Sequence, residues 1–233
     1  SRLTVGLSGA AGMTRAAREA RRYASFREAF GMKIADFPLL ACQLEMIETC
    51  ARRTTAAAFR LYRDFLGLPG GLRGGLDTTE DLPARKKRFM VRELIMLQKI
   101  TASWDATDVS RAALSVFGGH GVIEDFSSLP RLFRDAAINE LWEGPRNVLL
   151  TQIHRDMQRA ARWYGPSEFV SDMLQGADET AVRELAKETE RLVSHPSLFT
   201  MDDETKDVCR RWDALCHRLF HAYQDLALAE VIS

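Results

Sequence analysis

The residues best suited to chemistry lie within one stretch, from Ala113 to Asn147. A helix-like segment ends there in the glycine-rich break Gly118–Gly121, and the sequence Trp142–Gly144 follows. Glycine pairs let backbone N–H groups approach a ligand closely, and they tolerate positive φ. A carboxylate one residue before a glycine, at the mouth of a helix, can be held against a substrate by backbone geometry. The spacing therefore predicts a ligand-binding turn and, at Glu143, a general base.

Each of these features also has a structural interpretation. Glycine clusters are common at ordinary helix ends. Glu143 could be a first-turn carboxylate that only complements the positive end of a helix dipole. Trp142 beside it could exclude water from a catalytic carboxylate, but the residues alone favour the structural role.

The formal net charge of the 233 residues is zero, yet the charges are unevenly distributed. Residues 166–233 carry 7 Lys and Arg against 14 Asp and Glu, whereas residues 1–165 carry 25 against 18. A basic body suits anionic ligands such as nucleotide phosphates, coenzyme A or DNA. Alternatively, the acidic tail simply packs on the basic body.

Hydrophobic periodicity predicts helices and no strands. The predicted helices cover residues 2–29, 39–66, 83–117, 147–164, 167–175, 178–193 and 202–230. Gly31 is expected to stop the first helix, and an irregular loop and a short basic turn are expected after Gly121. Residues 67–82 are glycine-rich, and we expect them to form an exposed, mobile loop. The fold class is therefore all-α: a helical bundle over residues 1–165, with a helical C-terminal extension, residues 166–233, packed on it.

Two features of the sequence indicate the cellular compartment of the protein. No apolar run approaches the eighteen or so residues of a membrane span. The four cysteines lie in helical patterns without the spacing of a disulfide scaffold. We therefore expect a cytoplasmic protein with no membrane partner.

The tail places His217 and His221 one helical turn apart, where two imidazoles could share a metal ion. Cys209 lies two turns from Cys216, and no third ligand is evident at helical reach of both histidines. We therefore expect core or surface side chains here, and no metal site.

Three separated motifs resemble those of the acyl-CoA dehydrogenase flavoproteins. Tyr23–Gly31 has the spacing Tyr-x3-Arg-x2-Phe-Gly, similar to a signature at the end of the first helix of that family's C-terminal domain. Ala113–Gly121 is similar to its alanine-x-glutamine-x-x-Gly-Gly-x-Gly segment, and Arg134–Gly144 to its Arg-Asp-Ala-x-Ile and Tyr-Glu-Gly-Thr segment. The resemblance covers about residues 1–160. It is strongest to the alkylation-response branch, which carries a helical C-terminal extension.

The resemblance implies removal of an α-proton from an acyl-CoA thioester while a hydride leaves the β-carbon for N5 of FAD. Glu143 falls on the family's catalytic base, and its backbone N–H would polarise the thioester carbonyl. Arg2 and Gly144 fall on positions beside the substrate. Further positions line FAD in the family, the glycine pair usually from a neighbouring subunit: Arg27, Phe30, Phe37, Pro38, Ser115, Gly118, Gly119, Pro145 and Asn147.

Three of these positions depart from the family pattern. Ser115 and Pro38 stand where the family has glutamine, and Pro145 stands where it has threonine. All three family side chains can hydrogen-bond FAD or its surroundings, and proline has no N–H to offer instead. We therefore expect altered or weaker flavin binding, with an intact fold.

The family also has an N-terminal helical domain and a middle β domain, which cover most of the flavin and are not found here. We therefore expect part of a dehydrogenase that acts in a homotetramer and binds FAD poorly when alone. The alternative is a dehydrogenase-derived module that binds DNA or a partner chain with a strong salt dependence. Its contacts would be the basic run Arg85–Arg88 and the arginine ladder Arg155, Arg159 and Arg162.

Overall fold

A computed structural model describes residues 1–72 and 81–232 of the chain. Those residues form eight α helices, two short 3₁₀ turns and one small hairpin, so the all-α prediction is confirmed. The loop expected at residues 67–82 lies largely outside the described residues, at 73–80. The helices are α1 (Arg2–Phe26), α2 (Pro38–Leu66), α3 (Leu82–Val116), α4 (Leu129–Leu141), α5 (Arg146–Ala160), α6 (Pro166–Met173), α7 (Glu179–Val193) and α8 (Asp203–Ile232).

The prediction of a long first helix followed by no strands is wrong at its C-terminal end. Helix α1 ends at Phe26, and β1 (Glu28–Ala29) pairs antiparallel with β2 (Met32–Lys33). The turn between the strands has Phe30 at φ 52° and Gly31 at φ 84°. A two-residue hairpin turn of this kind needs positive φ at both central residues, and glycine supplies it at little cost. Gly31 therefore closes a hairpin and does not stop a helix.

The basic turn expected after Gly121 is also wrong, because α4 occupies most of that stretch. Pro130 lies in the first turn of α4, where its missing N–H costs no hydrogen bond. The hydroxyl of Ser127 accepts a hydrogen bond from the N–H of Leu129 at 3.3 Å. Leu129 and Ala136 are buried with residues of α1, α2 and α3. A short helix needs only such a narrow apolar stripe. The charged residues between Leu129 and Ala136 obscure the helical periodicity of this stripe in the sequence.

Two apolar clusters form the core. The first joins α1, α2, α3 and α4, and small side chains of α1 such as Ala16 and Ala20 allow close helix approach there. The second joins α2, α3 and α5 to α6, α7 and α8. Within it, Trp212 of α8 donates its indole N–H to the Leu150 carbonyl of α5 at 2.9 Å. The tail helices therefore share a core with the helices before residue 165.

Among the described residues, none of the helices combines the length and the apolar character needed to cross a membrane. Cys42, Cys50, Cys209 and Cys216 are all free thiols.

Candidate active site

Glu143 lies in the tight reversal between α4 and α5. Trp142 leaves α4 in an extended conformation, and Glu143 and Gly144 follow at φ 60° and φ 106°. A non-glycine residue in the left-handed region costs on the order of 1–3 kcal/mol and persists only where its surroundings enforce it. Glycine at position 144 avoids a second cost of this kind, and a Cβ there would lie 3.1 Å from the Leu149 side chain. The turn is therefore held in a conformation that the chain would not adopt freely.

This geometry changes two interpretations of the sequence. Glu143 precedes Pro145, the N-cap of α5, by two residues, so it is not a first-turn carboxylate of that helix. Trp142 is 62% exposed and does not shield Glu143 from water within the described residues. Any exclusion of water from Glu143 has to come from a ligand or from another part of the protein.

Two cationic side chains hold the backbone of the turn. Arg2 Nε donates to the Glu143 carbonyl at 3.1 Å, and Lys99 Nζ donates to the carbonyls of Glu140 and Gly144 at 2.9 and 2.6 Å. Lys99 is only 1% exposed, and its burial, with the Arg2 guanidinium nearby, lowers its pKa. Charge-assisted hydrogen bonds are roughly twice as strong as neutral ones. The two cations therefore account for the enforced conformation of Glu143.

The backbone N–H of Glu143 is available to a ligand. Within residues 1–72 and 81–232 it has no hydrogen-bond partner, while the carbonyl of the same residue is held by Arg2. An unpaired donor on a fixed backbone can stabilise negative charge that develops on a substrate oxygen without reorganising during the reaction. Glu143 thus combines a carboxylate and a backbone donor in one residue.

Lys99 was not predicted from the sequence, and neither was Ser103, whose hydroxyl lies 3.2 Å from the Asn139 carbonyl. Both residues lie on α3, one turn apart, and contact the C-terminal carbonyls of α4. The only signal was a lysine within a largely apolar stretch. That signal does not distinguish a buried lysine from an exposed one, because the partner helix was itself missed.

Several positions expected to line FAD lie at the opposite end of α1. Arg27 is exposed just after α1, and Pro38 is exposed in the first turn of α2. Phe30 is 98% exposed at the tip of the hairpin, with its ring edge-to-face against Phe37 at 6.4 Å between centroids. Leu39 is 88% exposed beside them. Clustered apolar side chains of this kind mark a surface that another domain or a ligand covers.

The glycine turn lies at the end of α3. Gly118 has φ 57° and Gly119 follows it in a 3₁₀ turn. Both are exposed, and nothing lies within 4 Å of where a Cβ would be. Close to this turn, Gln43 of α2 donates to the hydroxyl of Ser115 at 2.6 Å. Gln43 thus brings an amide side chain to the position where Ser115 replaces the expected glutamine.

An aromatic cluster joins the end of α1 to the glycine turn. Tyr23 stacks on Phe117 with 4.1 Å between ring centroids, and its hydroxyl lies 3.0 Å from Nδ1 of His120. His120 in turn stacks on Phe126 at 4.4 Å. The residues that follow α1 and the glycine turn are therefore held near each other.

The predicted site residues consequently form two groups. The catalytic group lies at the start of α1 and the start of α5 and contains Arg2, Glu143, Gly144, Pro145 and Asn147. The cofactor group lies at the end of α1 and contains Arg27, Phe30, Phe37, Pro38, Ser115, Gly118 and Gly119. The length of α1 separates the two groups by about 36 Å at 1.5 Å per residue. A ligand that contacts both Arg2 and Arg27 of one chain would have to span that length.

Away from these groups, the structure brings a third residue to the histidine pair of the tail. Asp105 of α3 has Oδ2 3.1 Å from Nε2 of His221, and Oδ1 4.0 Å from Nε2 of His217. One nitrogen or oxygen atom from each of the three residues lies within 4.8 Å of the other two. Sequence spacing had shown no third residue near the pair, because Asp105 lies on a different helix.

The basic run at the start of α3 is largely occupied by contacts within the chain. The Arg85 guanidinium lies 3.9 Å from the centre of the Trp163 ring, and Lys86 pairs with Glu168. Arg88 is only 7% exposed. The run therefore does not present a continuous basic face. The ladder on and after α5 is exposed: Arg155, Arg159 and Arg162.

Comparison with known proteins relates the chain to one family. The family model described as "Acyl-CoA dehydrogenase, C-terminal domain" matches residues 74–158 of the chain.

Two relatives extend the match beyond that segment. Acyl-CoA dehydrogenase family member 11 of Caenorhabditis elegans is 27% identical over 198 residues, covering 80% of this chain and 30% of the relative. The putative acyl-CoA dehydrogenase AidB of Escherichia coli strain K12 is 27% identical over 164 residues, covering 70% of this chain and 28% of the relative. The resemblance to the alkylation-response branch is thereby confirmed. The chain spans less than a third of the length of either relative.

A solved structure shares the fold. An acyl-CoA dehydrogenase from Bacillus anthracis, determined in complex with FAD, superposes with a TM-score of 0.61 at 15% identity. The superposition covers 99% of this chain and 47% of that one.

Proposed function

We propose that this chain is the C-terminal domain of an FAD-dependent acyl-CoA dehydrogenase, in which Glu143 removes the α-proton of an acyl-CoA thioester. The observation that carries the proposal is the turn at Glu143, a residue at φ 60° whose backbone is fixed by Arg2 and Lys99. Two cationic side chains, Arg2 and the buried Lys99, hold the backbone that carries this carboxylate. That carboxylate falls where the family motif has its base.

The backbone at Glu143 supports the same chemistry. Proton removal next to a thioester carbonyl moves negative charge onto the carbonyl oxygen. The unpaired Glu143 N–H donates to that oxygen, and the nearby positive charges of Arg2 and Lys99 favour the charge that develops there. Gly144, with no side chain, lets the turn pack closely against Leu149 and keeps the carboxylate in its place.

The cofactor group has the character of a phosphate site. Arg27 is exposed and offers a planar set of donors, which suits a pyrophosphate. The backbone at Gly118 and Gly119 is open to close approach, and Gln43 supplies the amide that Ser115 lacks. When bound, FAD supplies the acceptor for the hydride that leaves the substrate's β-carbon.

The separation of the two groups favours an arrangement in which two copies of the chain contact each flavin. If one FAD contacts the catalytic group of one copy, the cofactor group beside it has to belong to another copy. This arrangement agrees with the homotetramer that the sequence resemblance implied. Further domains would cover the exposed side chains around Phe30 and Leu39.

The test of the proposed base is Glu143→Gln in the complete protein, with its N-terminal and middle domains. Glutamine preserves the shape of the side chain but cannot accept the α-proton. Bleaching of the flavin absorbance by acyl-CoA under anaerobic conditions should slow at least about 100-fold, the usual size of a general-base contribution. The FAD content should not change.

Glu140→Gln is the matched control, since Glu140 lies about one turn earlier and its carbonyl, which accepts from Lys99, is unchanged in the variant. That variant should bleach at the parent rate. Turnover retained by Glu143→Gln would move the base to another residue and refute the assignment.

A further inference from the structure

We infer that Asp105, His217 and His221 form a binding site for a divalent transition-metal ion of the Zn²⁺ class, joining α8 to α3. This inference is independent of the function proposed above, because the three residues lie outside both the catalytic group and the cofactor group. The two histidines lie one turn apart on α8, so their rings share one face of that helix. Their ring centroids are 3.9 Å apart, and Asp105 faces both of them from α3.

The separations suit direct coordination after small side-chain movements. Zinc binds imidazole nitrogen and carboxylate oxygen at about 2.0–2.2 Å, so ligand atoms in a tetrahedral site lie about 3.3–3.5 Å from each other. The carboxylate oxygens of Asp105 lie 3.1 Å from His221 Nε2 and 4.0 Å from His217 Nε2. Two imidazoles and one carboxylate are a recurrent zinc ligand set that leaves a fourth position for water.

The surroundings match a site with one open position. The Asp105 side chain is 10% exposed and that of His221 is 21% exposed, whereas His217 is 38% exposed at the rim of a groove of about 670 Å³. Cys50 lines the same groove, but burial raises its pKa to about 11 and keeps it a thiol.

Contacts around His221 show that a cationic side chain now lies beside the proposed ligands. Its Nε2 lies 3.1 Å from a carboxylate oxygen of Asp105 and 3.2 Å from the Arg53 guanidinium. A single ring nitrogen cannot donate to Asp105 and accept from Arg53 at once. A metal ion bound to both Nε2 and the carboxylate would take the place of the Arg53 guanidinium, whose Nη2 also lies 4.0 Å from the Asp105 carboxylate. Arg53 has a second partner, because its Nη1 lies 3.8 Å from Asp225.

The experiment is a Zn²⁺ titration of the metal-stripped chain, read by competition with a chromophoric chelator. Asp105→Asn and His217→Ala each remove one ligand, and circular dichroism checks that both variants remain helical. Asp108→Asn is the matched control, since Asp108 lines the same groove but pairs with Arg111. Each variant is also melted with and without Zn²⁺, because an ion that joins α8 to α3 should raise the melting temperature.

Asp105→Asn and His217→Ala should each weaken Zn²⁺ binding more than about 100-fold, since losing an outer-shell partner alone costs about 10–100-fold. Asp108→Asn should bind as the parent does. The melting temperature should rise with Zn²⁺ only in the parent and in Asp108→Asn. If Asp105→Asn and Asp108→Asn bind Zn²⁺ equally well, or if Zn²⁺ does not bind the parent, the three residues form an ion-pair network only and the site is refuted.

Discussion

At the scale of single residues, the turn at Glu143 depends on charges placed where burial disfavours them. Lys99 is buried, and its ammonium donates to two backbone carbonyls on either side of Glu143. Burying a charge is costly unless hydrogen bonds compensate for the lost hydration. Here the hydrogen bonds to the Glu140 and Gly144 carbonyls compensate for the burial of Lys99, and they also hold the strained residue Glu143. The position of Glu143 and the stability of the fold are therefore linked through the Lys99 side chain.

Replacing Lys99 by methionine tests this link. Methionine fills a similar volume but leaves the carbonyls of Glu140 and Gly144 without their donor. We expect the free energy of unfolding, measured in urea, to fall by about 1–3 kcal/mol, the usual cost of leaving buried polar groups unpaired. Lys87→Met, at an exposed position of the same helix, should change it by less than about 0.5 kcal/mol. Equal stability of both variants would show that Lys99 does not hold the turn.

At the scale of secondary-structure elements, the docking of α7 and α8 on α5 includes a titratable group. His154 of α5 is 1% exposed, with Nε2 3.1 Å from the Leu192 carbonyl of α7 and its ring 5.4 Å from that of Trp212 on α8. Burial lowers the pKa of His154, and the bond to the Leu192 carbonyl only partly opposes this. The histidine is therefore kept neutral where the three helices meet.

Stability should consequently depend on pH in the mildly acidic range. The folded-state pKa of His154 lies below its ordinary value of 6.5, so the unfolded chain binds a proton that the folded chain does not. The free energy of unfolding should fall as the pH drops from about 7.5 to about 5.5. In His154→Gln, whose amide can still donate to Leu192, that fall should be smaller in urea titrations at both pH values. An unchanged fall in His154→Gln would contradict the assignment.

Helices with long apolar stripes could be predicted from the sequence, and shorter elements could not. Helices α2 and α3 begin and end within one residue of their predicted bounds. Helix α4 was missed because its stripe is short, and the hairpin at Phe30 and Gly31 was missed because each strand has only two residues. Such elements owe their stability to the helices they contact.

The residues of the candidate site also differ in whether the sequence could identify them. Glu143, Gly144 and Arg2 could be named as candidates because local motifs and family resemblance mark them, and the structure brings Arg2 to the Glu143 carbonyl. Lys99 and Gln43 could not be predicted, since each acts through a contact with a distant part of the chain. The metal-binding role of Asp105 likewise depends on the docking of α8 on α3, which periodicity alone does not specify.

At the scale of the whole molecule, the distance between the two groups of site residues bears on the assembly that we propose. Helix α1 holds Arg2 at one end and Arg27 just beyond the other, and its length is fixed by continuous backbone hydrogen bonding. The two groups cannot approach each other within one chain without breaking that helix. A flavin that contacts both therefore lies between two copies.

This arrangement predicts complementation between two inactive variants of the complete protein. Glu143→Gln retains a sound cofactor group, and Arg27→Gln retains a sound catalytic group. In a mixed pair, one site combines both defects and the other combines the intact Glu143 of one copy with the intact Arg27 of its partner. Random pairing of equal amounts across a two-fold interface should restore about a quarter of the parent's acyl-CoA-dependent flavin reduction. Mixing Glu143→Gln with a second catalytic-group variant, Arg2→Gln, should restore no activity, because every site then contains a defective catalytic group. If the Glu143→Gln and Arg27→Gln mixture is no more active than its components, both groups serve the same chain, and the assembly argued from the length of α1 is wrong.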